Sequence, residues 1–310
     1  MKRVLTLTVN PAIDASCSVQ NVFPEHKLRC GPVLHEPGGG GVNVSRAIRR
    51  FGGESTVLYL AGGPSGEMLG LLLDREGLKH LAIPIEEWTR EDFTVLENAT
   101  GQQYRFVVPG PNVRPEEWNS CLERISSVTP MPDFVVASGS LPPGVPTDFY
   151  AQLAKRVRER GSRAIIDTSG AALAELFRGG DVYLAKPSMR ELREFVGREL
   201  LHEDEQNDAA MAIVNSGQAQ IVVVSLGAAG ALLATAEGCT RMRSPSVPVK
   251  SKVGAGDSMV AGIVLSLARD MSIRDSTRFG VACGAAAVMR PGSELSQRED
   301  TERLFAQISA

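Results

Sequence analysis

The chain of 310 residues contains no run approaching the ~18 consecutive apolar residues of a membrane span. Its start, MKRVLTLTVNPAID, lacks the long apolar segment and small-residue cleavage site of a secretory leader, and reads as a first core strand. Neither sign of charge is in excess. Lysine plus arginine number 33 and aspartate plus glutamate 36, a formal net charge of −3, which gives no electrostatic reason to expect nucleic acid or a membrane surface as partner. The five cysteines (Cys17, Cys30, Cys121, Cys239, Cys283) are scattered and form no Cys-x-x-Cys pair, so neither a disulfide framework nor a thiolate zinc site is expected, and a reducing cytoplasm is the natural compartment. The four histidines are equally dispersed, and no His-Glu-x-x-His is present.

Several phosphate-handling and nucleophile motifs are also missing. There is no Gly-x-x-x-x-Gly-Lys-Ser/Thr loop, no Gly-x-Gly-x-x-Gly after the first strand and no Gly-x-Ser-x-Gly elbow. Any phosphoryl chemistry must therefore use another scaffold. A dinucleotide-dependent oxidoreductase is disfavoured by the same absence.

What the chain does have is ordinary globular composition, 43% hydrophobic and 22% charged, and 31 glycines concentrated in short runs. Up to about residue 110 the pattern is strand-rich. We expect strands over 4–9, 15–19, 27–30, 33–36, 55–60, 94–98 and 103–108, with helices over 43–51 and 66–76. Beyond residue 114 helix and strand alternate: strands over 134–138, 163–167, 182–184 and 221–226, helices over 147–160, 188–196 and 204–216. The end is helical over 256–269, 273–289 and 301–308. Such alternation implies parallel pairing in a three-layer α/β/α sandwich. The short early strands have no helices to cover them. They predict one domain spanning 1–310 with a small β-sheet lid inserted from about 15–36 and 90–109, whose apolar face needs a partner.

The sharpest stretch is Val253-Gly254-Ala255-Gly256-Asp257-Ser258, which opens a helix. Glycines ahead of a helix expose successive backbone N–H groups, and the helix dipole adds positive potential, so the turn suits an anion such as a transferring phosphoryl group. Asp257 in the first turn can orient an attacking hydroxyl and accept its proton. On the tetrad alone, a simple helix cap is an equal alternative. The run Pro37-Gly38-Gly39-Gly40-Gly41-Val42-Asn43 also enters a helix. Four glycines in a row are entropically costly to order, so either a ligand approaches their bare backbone or they form a hinge. Asp14 stands at the carboxyl end of the first strand, where ligands collect in open α/β sheets; it suits a polyol, or is a turn aspartate. The strand 222–226 ends in Ser225 and the glycine turn Gly227. Lys27, Arg90 and Arg105, in or beside the lid, suit a phosphate ester, though single basic residues on strands are usually solvated.

Taken together these stretches resemble the ribokinase/PfkB superfamily of sugar kinases over nearly the whole chain. The two family signatures occur in order, PGGGGVNVSRAI (37–48) and VGAGDSMVAG (253–262). TLTVNPAID (6–14), FPEHKLR (23–29), GQQYRFVVPG (101–110), SGSLPPGV (138–145) and VVVSLGAAGAL (222–232) are most similar to the hexose-phosphate branch. The glycine at 40, where many fructose-1-phosphate and tagatose-6-phosphate kinases carry lysine, resembles the minor 6-phosphofructokinases.

The resemblance implies a ribokinase-like sandwich that phosphorylates fructose 6-phosphate at its C1 hydroxyl with ATP and Mg²⁺. Fructose 1-phosphate and tagatose 6-phosphate are the alternative sugars, and a non-catalytic binding protein is the alternative class. It implies Asp257 as base, with Gly254, Ala255 and Gly256 as anion hole. Asp14, Gly39, Asn43 and Ser140 would hold the sugar, and Arg90 and Arg105 its phosphate, with Lys27 reaching in from a second subunit. Lys186, Ser188, Ser225, Gly227, Gly230 and Gly284 would line the ATP site, and Glu191 would hold Mg²⁺ through water. Backbone carbonyls at Ser251, Val253, Ala287 and Gly292 would match a K⁺ site. A homodimer through the lid, with tetramers as a further step, is implied as well. Three departures stand out. The family's Asn-x-x-Glu reads Ser188-Met189-Arg190-Glu191, and Lys252 and Arg290 add positive charge around the expected K⁺ loop.

Overall fold

The computed structural model describes residues 1–290, 292 and 294–308. In chain order the strands are β1 (Val4–Thr8), β2 (Ala12–Val19), β3 (Leu34–Gly38), β4 (Thr56–Ala61), β5 (Lys79–Pro84), β6 (Arg90–Glu97), β7 (Gln103–Phe106), β8 (Phe134–Ser138), β9 (Arg163–Asp167), β10 (Val182–Ala185), β11 (Ala219–Ser225), β12 (Ala231–Thr235) and β13 (Gly238–Met242). The helices are α1 (Gly40–Arg50), α2 (Gly63–Arg75), α3 (Pro115–Ser127), α4 (Phe149–Glu159), α5 (Gly170–Gly179), α6 (Met189–Val196), α7 (Glu203–Asn215), α8 (Ala255–Ala268), α9 (Ile273–Val288) and α10 (Arg298–Phe305).

Alternation along the central strands sends side chains to two cores. Leu5 and Leu7, Val135 and Ala137, and Val222 and Val224 pack on one face with α3 to α7. Phe134 and Val136, Ile165, and Ile221 and Val223 pack on the other with α1, α8 and α9. Val57 and Tyr59 meet α2 on that second face. Because both faces are covered, strands such as β8 are buried along their whole length. The sheet order is β13-β12-β11-β10-β9-β8-β1-β4-β5, parallel from β5 to β11, with β12 and β13 antiparallel at one edge. This is the three-layer α/β/α sandwich that the alternation predicts. β1 is flanked by β4 on one side and β8 on the other, so the strand order reverses there. In open α/β sheets the ligand crevice opens at such a reversal, beyond the carboxyl ends of the strands.

A second sheet, β3-β2-β6-β7, stands apart from the sandwich. Its β2–β3 and β6–β7 pairs are antiparallel, whereas β2 and β6 run parallel. Three expectations need correction. The strand over 27–30 does not form; 20–33 is irregular, and β3 instead runs on to Gly38, so this sheet begins at Ala12 rather than near 15. Periodicity does not reveal β5, β12 and β13: β5 and β13 are the edge strands, β5 is largely exposed and ends in Pro84, and β12 is a short buried strand paired on both sides. Nor does it reveal α3 and α5, although α3 carries proline in its first turn followed by Glu116 and Glu117, a recognisable helix start.

Candidate active site

The carboxyl ends of β1, β8, β9, β10 and β11 converge with the amino ends of α1 and α8. Gly254 caps α8 in the left-handed region, at φ 71°, and supplies no side-chain acceptor, so the first-turn N–H groups of Ala255 and Gly256 are left for an outside acceptor. Asp257 is the third residue of that helix. Its Oδ2 accepts from Asn43 Nδ2 at 3.0 Å and its Oδ1 from Ser138 Oγ at 3.4 Å. Burial pushes its carboxyl up to about 6, and the nearby Asp167 adds to this, against the lowering by the Asn43 bond and by Lys186. Near pH 7 the group is thus ionised yet close to its titration point, as suits a general base.

Lys186, immediately after β10, is buried at 5% exposure, with its ammonium 3.2 Å from Asp167 Oδ1 at the end of β9. Burial alone would push that ammonium down, but the carboxylates of Asp167, Glu191 and Asp257 outweigh it and keep the lysine charged. A Cβ built on Gly256 would lie 3.7 Å from Lys186 Nζ, so this cation borders the uncapped turn of α8. Neither Ser138 nor Asp167 was singled out in the sequence. Both end apolar strands that the sequence does reveal, and the rule that strand carboxyl ends face the crevice could have found them.

The glycine run is explained by the chain itself. A Cβ on Gly40 would sit 2.3 Å from Ser138 Oγ, and one on Gly41 would sit 2.3 Å from the Leu7 carbonyl. Bare backbone is what lets α1 start against β1 and β8, where Thr8 Oγ1 accepts from Val42 N at 2.9 Å. Gly39 is the N-cap of α1, and Asn43, one turn on, reaches Asp257.

Asp14 on β2 is level with Glu36 on β3 and Asp92 on β6. Burial raises its carboxyl to about 6, Asp92 reinforces this, and Arg46 and Arg90 oppose it. Arg90 pairs with Asp92 at 3.1 Å and donates to the carbonyls of Val108 and Asn10. Asn10, Arg90, Val108 and Ser140 line a cavity of about 620 Å³. The Nδ2 of Asn10 donates to Ser140 Oγ at 3.2 Å, whereas its buried Oδ1 has no partner in the structure. Arg105 lies on β7 opposite Thr94, four residues along β6 from Arg90. That separation is about 13 Å at the usual strand rise, on the same face of the sheet. Lys27 lies exposed in the 20–33 loop. A groove of about 900 Å³ opens at the opposite ends of the strands and touches none of these residues.

Beside Lys186, Ser188 caps α6. Its amide donates to Glu191 Oε2 at 2.7 Å, and its Oγ accepts from Glu191 N at 3.3 Å. Ser188 also bridges to Ser225 at the end of β11, which brings two loops side by side. Gly227 opens the short turn that follows, in open space. Gly230 is fixed by packing, since a Cβ there would meet the Met242 carbonyl at 1.9 Å. Gly284 on α9 lies against the Ala255 carbonyl, where a Cβ would approach to 3.3 Å. Ser251 and Lys250 donate their amides to the Val288 carbonyl, which docks the loop carrying Val253 on the end of α9, next to Ala287. Gly292 carries φ 60°; its neighbours Pro291 and Ser293 lie outside the described residues. Arg290 is ion-paired with Asp300 on α10, and Lys252 is exposed.

Residues 6–300 match the model of the pfkB family carbohydrate kinases. The chain belongs to that family. It is 48% identical to the ATP-dependent 6-phosphofructokinase isozyme 2 of Mycobacterium tuberculosis over 303 residues, 98% of this chain and 89% of that one. The phosphofructokinase-2 of Escherichia coli superposes at 42% identity with TM-score 0.95 in its potassium complex, covering 99% of both chains. In its fructose-6-phosphate complex the values are 41% and 0.92, covering 100% of both. The 1-phosphofructokinase of Bacillus subtilis is more distant, at 30% identity over 98% of both chains. Among the described residues no helix is long and apolar enough to cross a membrane.

Proposed function

We propose that this kinase is an ATP-dependent 6-phosphofructokinase, transferring the terminal phosphoryl group of ATP to the C1 hydroxyl of fructose 6-phosphate to give fructose 1,6-bisphosphate and ADP. The observation that carries the reading is the placement of an ionised, poorly solvated Asp257 beside the uncapped N–H groups of Ala255 and Gly256 and the buried cation of Lys186. Asp257 takes the proton of the attacking hydroxyl. The amides of the turn after Gly254, together with Lys186, meet the charge on the transferring group, so positioning and electrostatics do most of the work. Asp14, Gly39, Asn43 and Ser140 hold the sugar, and Arg90 and Arg105 receive its phosphate with Lys27 of a second subunit. Lys186, Ser188, Ser225, Gly227, Gly230 and Gly284 line the nucleotide site.

Among the described residues no cluster of three or more metal-ligating side chains is present. Mg²⁺ binds through one or two carboxylates, water and substrate phosphates. Glu191, fixed by the Ser188 cap, is the carboxylate that would hold it through water. When bound, Mg²⁺ would neutralise charge on the nucleotide. The carbonyls of Ser251, Val253, Ala287 and Gly292 would supply the neutral oxygens for K⁺. The expectation that Arg290 burdens this loop is eased by its pairing with Asp300. The four-stranded sheet acts as a lid and as the dimer contact. Phe106 at the end of β7 and Val107 just after it, each 59% exposed, supply apolar surface for a second copy, and the resulting dimer can associate further.

A panel of phosphosugars assayed with ATP tests the reading. Fructose 6-phosphate is expected to give the highest kcat/KM; preference for fructose 1-phosphate or tagatose 6-phosphate, or no ADP release at all, would refute it. For the phosphate clamp, Arg105→Ala is expected to raise the KM for fructose 6-phosphate ~10-fold or more, on the scale of one charge-assisted hydrogen bond, with the KM for ATP nearly unchanged. The reverse split in steady-state kinetics would place Arg105 outside the sugar site.

A further inference from the structure

The guanidinium of Arg46, on the second turn of α1, is one layer behind the site and 2% exposed. All three of its nitrogens are engaged. Nε donates to Glu76 at 2.9 Å, beyond the end of α2, and Nη2 donates to Glu36 Oε1 at 2.9 Å on β3. Nη1 donates to the Pro37 carbonyl at 3.1 Å and to Asn43 Oδ1 at 3.3 Å. The last bond has a chemical consequence. With its oxygen turned to a cation, the Asn43 amide must present its NH₂ to the other side, and there Nδ2 donates to Asp257 Oδ2 at 3.0 Å. A flipped amide would set oxygen against carboxylate and NH₂ against guanidinium, unfavourable at both ends.

We infer that Arg46 is a positioning residue: through Asn43 it holds the carboxylate of Asp257 in its reactive orientation, and through Glu36 it ties that orientation to the lid strand β3. The inference rests on Asp257 being the base. It also reassigns Asn43. One face of its amide is committed to Asp257, so its part in catalysis includes aiming the base as well as meeting the sugar. Arginine is required because only a planar fork can serve Glu76, Glu36, Pro37 and Asn43 at once; lysine has a single nitrogen on a flexible stem.

The groups facing Asp257 are Asn43 from α1, Ser138 from β8, Asp167 from β9 and Lys186 from beyond β10. Of the two neutral donors, Asn43 makes the shorter bond, and by stabilising the carboxylate it lowers the pH at which Asp257 titrates. Releasing its amide therefore moves the acid limb of kcat upward.

The test is the pH dependence of kcat, with ATP and fructose 6-phosphate saturating, for the wild-type chain, Arg46→Lys, Asn43→Ala and the double variant. Arg46→Lys is expected to lower kcat ~10-fold and to shift the acid limb up by about half a pH unit or more. In the Asn43→Ala background it should add no further shift, because the two act in series. A residue that merely supports the fold would lower the active fraction at every pH and leave the limb in place. An unshifted limb in Arg46→Lys, or equal shifts in both backgrounds, overturns the inference. If Arg46→Lys does not fold, Glu76→Gln loosens the same fork from a side chain 31% exposed, and the limb must move in the same direction, by less. An unmoved limb there overturns the inference as well. A wild-type profile with no acid limb would instead remove Asp257 as base, so the two failures are distinguishable.

Discussion

Asp257→Asn is expected to lower turnover at least ~100-fold, the usual scale for loss of a general base, while making the folded chain more stable. Both effects have one cause. In the native state burial raises this carboxyl to about 6, well above its value in an unfolded chain. The folded form therefore holds its proton more tightly, and stability from this group is present below about pH 4 and is lost as the pH rises through about 6. At neutral pH the ionised Asp257 is destabilising by about 1–3 kcal/mol, because each pH unit separating its folded and unfolded titration points is worth about 1.36 kcal/mol. Asparagine removes that penalty and still accepts from Asn43. Kinetics and denaturant melts of the same variant check the claim, the stability gap closing near pH 4. Near-normal turnover would contradict it, and so would loss of activity with a destabilised fold.

Lys186→Met should have the second-largest effect, and here activity and stability fall together. The substitution leaves Asp167, only 16% exposed, without its partner. Breaking a buried pair from one side typically costs about 3–5 kcal/mol. It also removes the cation bordering the anion turn, where loss of one preorganised group lowers kcat by ~10²-fold or more. The Lys186→Met/Asp167→Asn double variant should recover most of the stability and none of the turnover. Stability of the single variant equal to wild type, or an active double variant, would contradict the account.

How much of this site the sequence reveals depends on whether chemistry is concentrated in a contiguous stretch. Gly254 to Asp257 and Gly38 to Asn43 are legible because helix starts need particular residues in adjacent positions. The reason for the glycines is not legible. Sequence reasoning offers a ligand or a hinge, whereas Gly40 and Gly41 are fixed by Ser138 and Leu7, residues distant in the chain but adjacent across the sheet. The Asp167–Lys186 pair and the Ser138 hydroxyl are assembled by parallel neighbours β8, β9 and β10, and no local spacing encodes that convergence. Periodicity recovers the buried central strands, including β8 and β11. It fails at the edges, where β5 is largely exposed, and in the 20–33 loop, where basic and apolar residues alternate like a strand without forming one.

The pH dependence of kcat, with ATP and fructose 6-phosphate saturating so that Asp14 is already engaged by the sugar, tests the central claim most directly. The account predicts a fall approaching tenfold per pH unit below about pH 6 in the wild-type chain and no such limb in the residual activity of Asp257→Asn. A profile flat down to pH 5, or a limb that survives the substitution, would show that another group takes the proton.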